Sequence, residues 1–173
     1  MSDAPERPLD LRELFRVLAE HDVDYLVLGG AAAQVHGRRR TTKDLDLTPA
    51  PDAENFVRLA AALRDLDAHP AGLGGDAPAP SAEQLAIAPI VVALSTRHGE
   101  VHILNGVAGA AAYAEMRSRA LSTDLDGVAV EIVGVDDLIA MKQASGRPSD
   151  LEDIAAITAV ARRDRANCGG NDS

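Results

Sequence analysis

Two carboxylates two residues apart, Asp44 and Asp46, are the most chemically informative pair in this sequence. They fall in Asp44-Leu45-Asp46-Leu47, a run that reads as a β-strand. Side chains alternate across a strand with period two, so both carboxylates leave one face and both leucines the other. Like charges this close repel. A divalent cation relieves the repulsion and takes oxygen ligands readily, and two such ions can clamp a phosphoryl group during in-line displacement. Upstream, an apolar run over residues 25–28 ends at Gly29-Gly30, ahead of a short predicted helix. Glycine lets the backbone approach a ligand closely. Free N–H groups at a helix start attract an anion such as a phosphate. A phosphate cradle and a pair of metal carboxylates therefore sit on successive strands, with one short helix and a turn between them. A solvated strand edge is the plainer alternative for the aspartate pair.

Positioning these groups falls to elements that the hydrophobic pattern predicts. Leu11, Leu14, Phe15 and Leu18 recur at helical spacing in a helix over residues 9–20. Asp10 and Glu13 resemble a capping box for it. Residues 25–28 read as a buried strand, 31–36 as a short helix, 45–48 as a second strand and 52–66 as an amphipathic helix. Residues 70–80 are rich in Gly, Pro and Ala and read as a mobile loop. A hairpin follows, with strands over 87–95 and 101–104. A helix over 110–120, a strand over 128–133 and a helical pair over 136–144 and 149–162 complete the order. Ser149 and Glu152 suggest a capping box for the last helix. The expected class is α/β (α+β): one mixed β-sheet flanked by helices, with a C-terminal helical pair. Residues 9–165 are expected to form one domain, between a disordered N-terminus over 1–8 and a disordered tail over 166–173.

Composition narrows the function classes. The chain has 173 residues and is 46% hydrophobic, enough for a packed core. Aromatics make up 2%, which leaves no platform for stacking single-stranded bases. A formal net charge of -10 repels phosphate backbones, so nonspecific nucleic-acid binding is disfavoured. Arg38-Arg39-Arg40 with Lys43 is the dense basic cluster; it reads equally as a solvated turn or as an RNA or triphosphate contact. Gly72-Leu73-Gly74-Gly75 lacks the Lys-Ser/Thr of a phosphate loop. The histidines show no zinc spacing, and the lone Cys168 has no positioned base. The absence of a signal segment or a long apolar run leads to the expectation of a cytoplasmic protein with no membrane partner.

Gly29-Gly30, a short helix and then Asp44-x-Asp46 in a strand resemble the signature of the DNA polymerase beta-type nucleotidyltransferase superfamily. The finer pattern Arg40-x-Thr42-x-Asp44-Leu45-Asp46-Leu47 is similar to its minimal prokaryotic branch, which includes nucleotidyltransferase toxins of toxin–antitoxin pairs. So is the block with Lys142, Gly146-Arg147-Pro148, Asp150 and Asp153. The resemblance implies the nucleotidyltransferase fold and transfer of a nucleoside monophosphate from an NTP to a hydroxyl. The acceptor would be an RNA or tRNA end, a protein or a small molecule, and a cognate antitoxin would be a possible partner. Asp44 and Asp46 would hold Mg²⁺ (or Mn²⁺). Gly29, Gly30, Arg40 and Thr42 would line the nucleotide, and Lys142 would neutralise the triphosphate. Spacing adds to the case for Lys142, because it shares the apolar face of its helix with Leu138 and Ile139. A lysine there needs a carboxylate, a phosphate or a route to solvent. Asp150 and Asp153 read as first-turn acids with a mainly structural role, one of them able to anchor Arg147 or Lys142.

The pattern departs from the superfamily at one place. A third acid is expected on a later strand, where this sequence has Glu100-Val101-His102-Ile103-Leu104. The matching position is His102. Three readings stay open here: His102 as a base or a softer metal ligand, Glu100 reaching in from the same strand face, or a site without turnover. The last would make the chain a catalytically degenerate protein that binds a nucleotide or a protein partner. A purely structural protein on the same scaffold is the third class.

Overall fold

The computed structural model describes residues 7–73, 75–88 and 91–168. In it, α1 (Leu11–Glu20) buries Leu14, Phe15, Val17 and Leu18. Asp10 caps it, accepting from the Glu13 backbone N at 3.2 Å. The expected capping box is only half made, because the Glu13 carboxylate accepts instead from Arg16 Nε at 3.0 Å. The chain continues through β1 (Tyr25–Val27), α2 (Gly29–Val35), β2 (Asp44–Pro49) and α3 (Ala53–Asp65). Next come β3 (His69–Pro70), α4 (Ala82–Ala86), β4 (Val91–Thr96) and β5 (Gly99–Leu104). The order ends with α5 (Tyr113–Ser118), β6 (Leu121–Leu125), β7 (Val128–Ile132), α6 (Val135–Ser145) and α7 (Pro148–Cys168).

Among the described residues the strands form one seven-stranded mixed sheet in the order β3-β4-β5-β2-β1-β7-β6. β2 lies at its centre, antiparallel to β1 and parallel to β5. Helices flank the sheet. α1 packs on α3 and β7, α2 on β2 and α6, and α6 on α7. The core is aliphatic, with Leu26, Leu45, Leu47, Leu59 and Ile103 fully buried. One aromatic pair, Phe15 and Tyr25, stacks at 6.4 Å between centroids.

Several boundaries differ from the sequence expectation, each for a local reason. β3, α4 and β6 are additional elements. β6 joins β7 through a two-residue turn in which Asp126 (φ 55) and Gly127 (φ 87) both take positive φ, the geometry suited to a tight hairpin. α4 carries a complete capping box between Ser81 and Gln84. Ile87 ends that helix and is 84% exposed, so the strand expected from residue 87 is seen from Val91 instead. Residues 89 and 90 of that expected strand lie outside the described ones. Pro70 pairs with Leu94, which moves the start of the expected loop to residue 71. The helix expected over 110–120 shortens to α5, because Ala112 ahead of it is extended (φ -58, ψ 145). α7 opens on Pro148, the first-turn position that proline favours, so Ser149 and Glu152 lie inside the helix and do not cap it. It runs to Cys168 and so takes in residues 166–168 of the expected tail. Residues 1–6 and 169–173 lie outside the described ones.

One buried amide ties the site-bearing strands to α3. Asn55 is fully buried and accepts from Asp24 N at 2.8 Å. It donates to Asp24 O at 2.7 Å and to Ala50 O at 3.1 Å. One side chain thus fixes the entrance to β1 and the exit of β2. Asn55→Ala leaves Asp24 N without its acceptor, while Asp24 O still accepts from Ala50 N and Ala50 O from Asp52 N, and urea denaturation is expected to show a loss of about 2 kcal/mol. A loss below about 1 kcal/mol would mean that water replaces the amide.

Candidate active site

The parallel pairing of β2 with β5 sets Asp44 opposite Glu100 and Asp46 opposite His102. All four side chains therefore share one face of the sheet. Gly29 takes a left-handed backbone (φ 58), and a Cβ there would lie 1.8 Å from Asp46 Oδ2. A Cβ on Gly30 would lie 2.6 Å from Thr42 Oγ1. The two glycines thus make room for the carboxylate and for the threonine that supports its neighbour. Thr42 Oγ1 donates to Asp44 O at 2.9 Å, with Asp44 Oδ1 at 3.4 Å. Leu28 N donates to Asp46 O at 2.9 Å and fixes the end of β1 against β2.

His102 sits between acids. Its Nδ1 is 2.9 Å from Asp46 Oδ1 and 4.0 Å from Asp44 Oδ2, and its Nε2 is 2.8 Å from Glu100 Oε1. Ionised carboxylates only accept, so both ring nitrogens carry protons when these contacts form. The bond to Asp46 is the main cause that pushes the imidazolium up to about 9, against the opposing effect of burial and with further support from Glu100. Burial, and then the charge of Asp46, raise the Asp44 carboxyl above its ordinary value, opposed by His102 and Thr42. Asp44, Asp46 and His102 each offer one ligand atom, and these atoms all lie within 4.8 Å of one another.

Across the cavity lies a block of alternating charge. Lys142 Nζ bonds to Asp153 Oδ2 at 2.7 Å and to Asp150 Oδ1 at 3.3 Å. Arg38 Nε is 2.6 Å from Asp153, and Arg147 Nε donates to Asp150 at 3.0 Å. Lys142, Asp150 and Asp153 are 7%, 2% and 5% exposed, so none is left to water. Burial alone would raise the Asp150 carboxyl, but bonds from Arg147, Ser145 and Lys142 outweigh it and hold the group below its ordinary value. Three cations face two anions, which leaves the block one positive charge in excess.

A cavity of about 650 Å³ separates these two walls. Asp44, Asp46, His102, Gly29, Gly30, Arg40, Thr42 and Lys142 all line it, whereas Glu100 approaches it through His102 and Arg39 of the basic cluster does not line it. Arg40 lines it, with its own carbonyl accepting from Gln34 Nε2 at 2.8 Å. Lys142 lines it too, with its ammonium already held by two carboxylates. Arg38 was legible only as part of a basic run. Its partner Asp153 lies more than a hundred residues later, so no local pattern marks the pair.

A family model described as nucleotidyltransferase of unknown function (DUF6036) matches residues 9–165. The chain belongs to this nucleotidyltransferase family. Solved nucleotidyltransferases share its fold. A lincosamide antibiotic adenylyltransferase, LnuA, solved with lincomycin bound, is 16% identical with a TM-score of 0.60, over 89% of this chain and 99% of that one. ANT(2'')-Ia, solved with adenylyl-2''-tobramycin, is 13% identical with a TM-score of 0.55, over 91% of both chains. An antigenic nucleotidyltransferase-like protein from Paracoccidioides brasiliensis is 19% identical with a TM-score of 0.50, over 87% of this chain and 77% of that one. No curated protein sequence matches. Among the described residues of this nucleotidyltransferase, no helix is long and apolar enough to cross a membrane.

Two outcomes are expected of the metal-free protein. NMR titration of His102 should show a midpoint near 9. The stability that its imidazolium adds is then present in full below about pH 6.5 and lost as pH rises through 9. A midpoint at or below about 6.5 would mean that the contacts with Asp46 and Glu100 do not persist in solution. Lys142→Ala leaves two buried carboxylates short of one cation, and urea denaturation should show a loss of about 3 kcal/mol. A neutral effect would show that Arg38 and Arg147 suffice.

Proposed function

We propose that this nucleotidyltransferase moves a nucleoside monophosphate from an NTP to a hydroxyl of a small-molecule acceptor and releases pyrophosphate. The observation that carries the reading is the placement of Asp44, Asp46 and His102 on one wall of a cavity whose other wall has an excess of positive charge. The donor set fits a divalent cation: two carboxylates and one imidazole nitrogen, close enough to converge on one ion. Asp44, Asp46 and His102 would hold Mg²⁺ or Mn²⁺. Such an ion, when bound, polarises phosphoryl oxygens and offsets charge on the departing pyrophosphate.

The remaining residues bind and orient. Gly29 and Gly30 line the cavity and leave room there for Asp46 and Thr42, which puts backbone and carboxylates together beside the triphosphate. Thr42 holds Asp44 in place. Arg40 and Arg147 supply guanidinium donors suited to phosphate oxygens. Lys142 contributes to the field of that wall while bonded to Asp150 and Asp153. Val91, Leu104 and Val107, which line the cavity without being fully buried, offer an apolar surface to the base or the acceptor.

A small acceptor fits the net charge of -10, which repels a polynucleotide. It also accords with the lincomycin and the adenylyl-2''-tobramycin bound to two proteins of this fold. A tRNA end or a partner protein, with the chain as the toxin of a toxin–antitoxin pair, is supported by motif resemblance alone. The presence of His102 where the superfamily has a third acid favours one further reading, a binder of nucleotide or partner without turnover.

The deciding experiment supplies each α-labelled NTP with Mg²⁺ or Mn²⁺ to separate reactions containing aminoglycosides and lincosamides, total tRNA, or cell-extract protein. Label on a small molecule is expected, and Asp44→Asn with Asp46→Asn should reduce it more than about a hundredfold while the fold persists. Label on tRNA or protein would overturn the acceptor class. Metal-nucleotide binding without label in any reaction would favour the binder.

A further inference from the structure

The two ring nitrogens of His102 face different carboxylates, and this separates their roles. Nδ1 points at the Asp44 and Asp46 oxygens, while Nε2 is bonded to Glu100 at 2.8 Å. A histidine that ligates a metal through one nitrogen commonly donates its other N–H to a carboxylate, which fixes both tautomer and ring orientation. Glu100 occupies that place. Its own carboxylate is half exposed and lies on the far side of the ring from Asp46.

Resting on the metal reading above, we infer that the third ligand is His102 Nδ1, that Glu100 is a positioning residue and not a ligand, and that the site prefers Mn²⁺ to Mg²⁺. Imidazole nitrogen suits transition ions, whereas Mg²⁺ favours a set made only of oxygens. Retaining both aspartates keeps the carboxylate oxygens that suit Mn²⁺ as they suit Mg²⁺, and Mn²⁺, a first-row transition ion, is the one of the two that takes a nitrogen donor more readily. The N-donor also lowers the negative charge of the donor set compared with three carboxylates, and with it the purely electrostatic hold on Mg²⁺. On coordination the Nδ1 proton leaves to solvent and the Nε2 proton stays on the bond to Glu100.

The test is metal binding to the full chain without nucleotide, read by loss of the free Mn²⁺ EPR signal and by competition with Mg²⁺. Mn²⁺ should bind at least about tenfold more tightly than Mg²⁺, and pulsed EPR should show a coupled ¹⁴N that vanishes in His102→Asp. That variant should also raise Mg²⁺ affinity relative to Mn²⁺. Glu100→Ala should weaken Mn²⁺ about ten- to a hundredfold, while Glu100→Gln, whose amide oxygen still accepts from Nε2, should recover most of it. Equal recovery failure in Gln and Ala would make Glu100 a ligand and overturn the assignment. So would bound Mn²⁺ without ¹⁴N coupling, or Mg²⁺ binding as tightly as Mn²⁺; both would leave the metal reading standing. Failure of either ion to bind wild-type protein better than Asp44→Asn with Asp46→Asn would overturn the metal reading itself.

Discussion

The parallel ladder between β2 and β5 is the interaction on which the site depends. It joins residues 56 positions apart in sequence, Asp46 and His102, and brings their side chains to 2.9 Å. A slip of one residue would turn Leu45 and Leu47 to the cavity and the carboxylates into the core. The full burial of both leucines holds the register, because each contributes roughly 1.5–3 kcal/mol only when it faces inward. The geometry of the candidate site is therefore enforced by the hydrophobic face of the same strand. Asn55 extends that control by fastening the ends of β1 and β2 to α3.

The opposite wall is organised by a different force. Arg38 follows α2, Lys142 lies in α6, Arg147 in the turn between α6 and α7, and Asp150 and Asp153 in α7; ion pairs of 2.6–3.3 Å join them. Buried pairs contribute little net stability compared with apolar packing, yet removing one partner is costly. Such a block specifies how three segments meet more than it strengthens them. It also leaves a single surplus positive charge facing the acidic wall, a modest field across the cavity.

Much of this was legible in the sequence where the signal is local. The strand period of Asp44-Leu45-Asp46-Leu47, the break at Gly29-Gly30 and the helical spacing of α1 and α3 all appear where the residues predict them. Lys142 was marked as a lysine on an apolar face needing a partner, and two carboxylates meet it. The missed elements have weak patterns or overlooked turns. β6 is Leu-Ser-Thr-Asp-Leu, without a buried apolar alternation, and only Asp126-Gly127 announces its hairpin. The pairing of Arg38 with Asp153 and the contact of His102 with Asp46 depend on how distant segments fold together, which no spacing encodes.

The near-contact of Gly29 with Asp46 ties two positions of the chain into one heritable unit. Any side chain at position 29 would occupy the space of the Asp46 carboxylate, 1.8 Å from Oδ2. A descendant gene could keep Asp44, Asp46 and His102 unchanged and still lose the site through a single codon at 29. Shortening the side chain at 46 would relieve the clash, yet the left-handed backbone at 29 (φ 58) would still favour glycine. Across a lineage, the acid at 46 thus depends on glycine at 29, whereas that glycine answers to two constraints, the carboxylate and its own backbone.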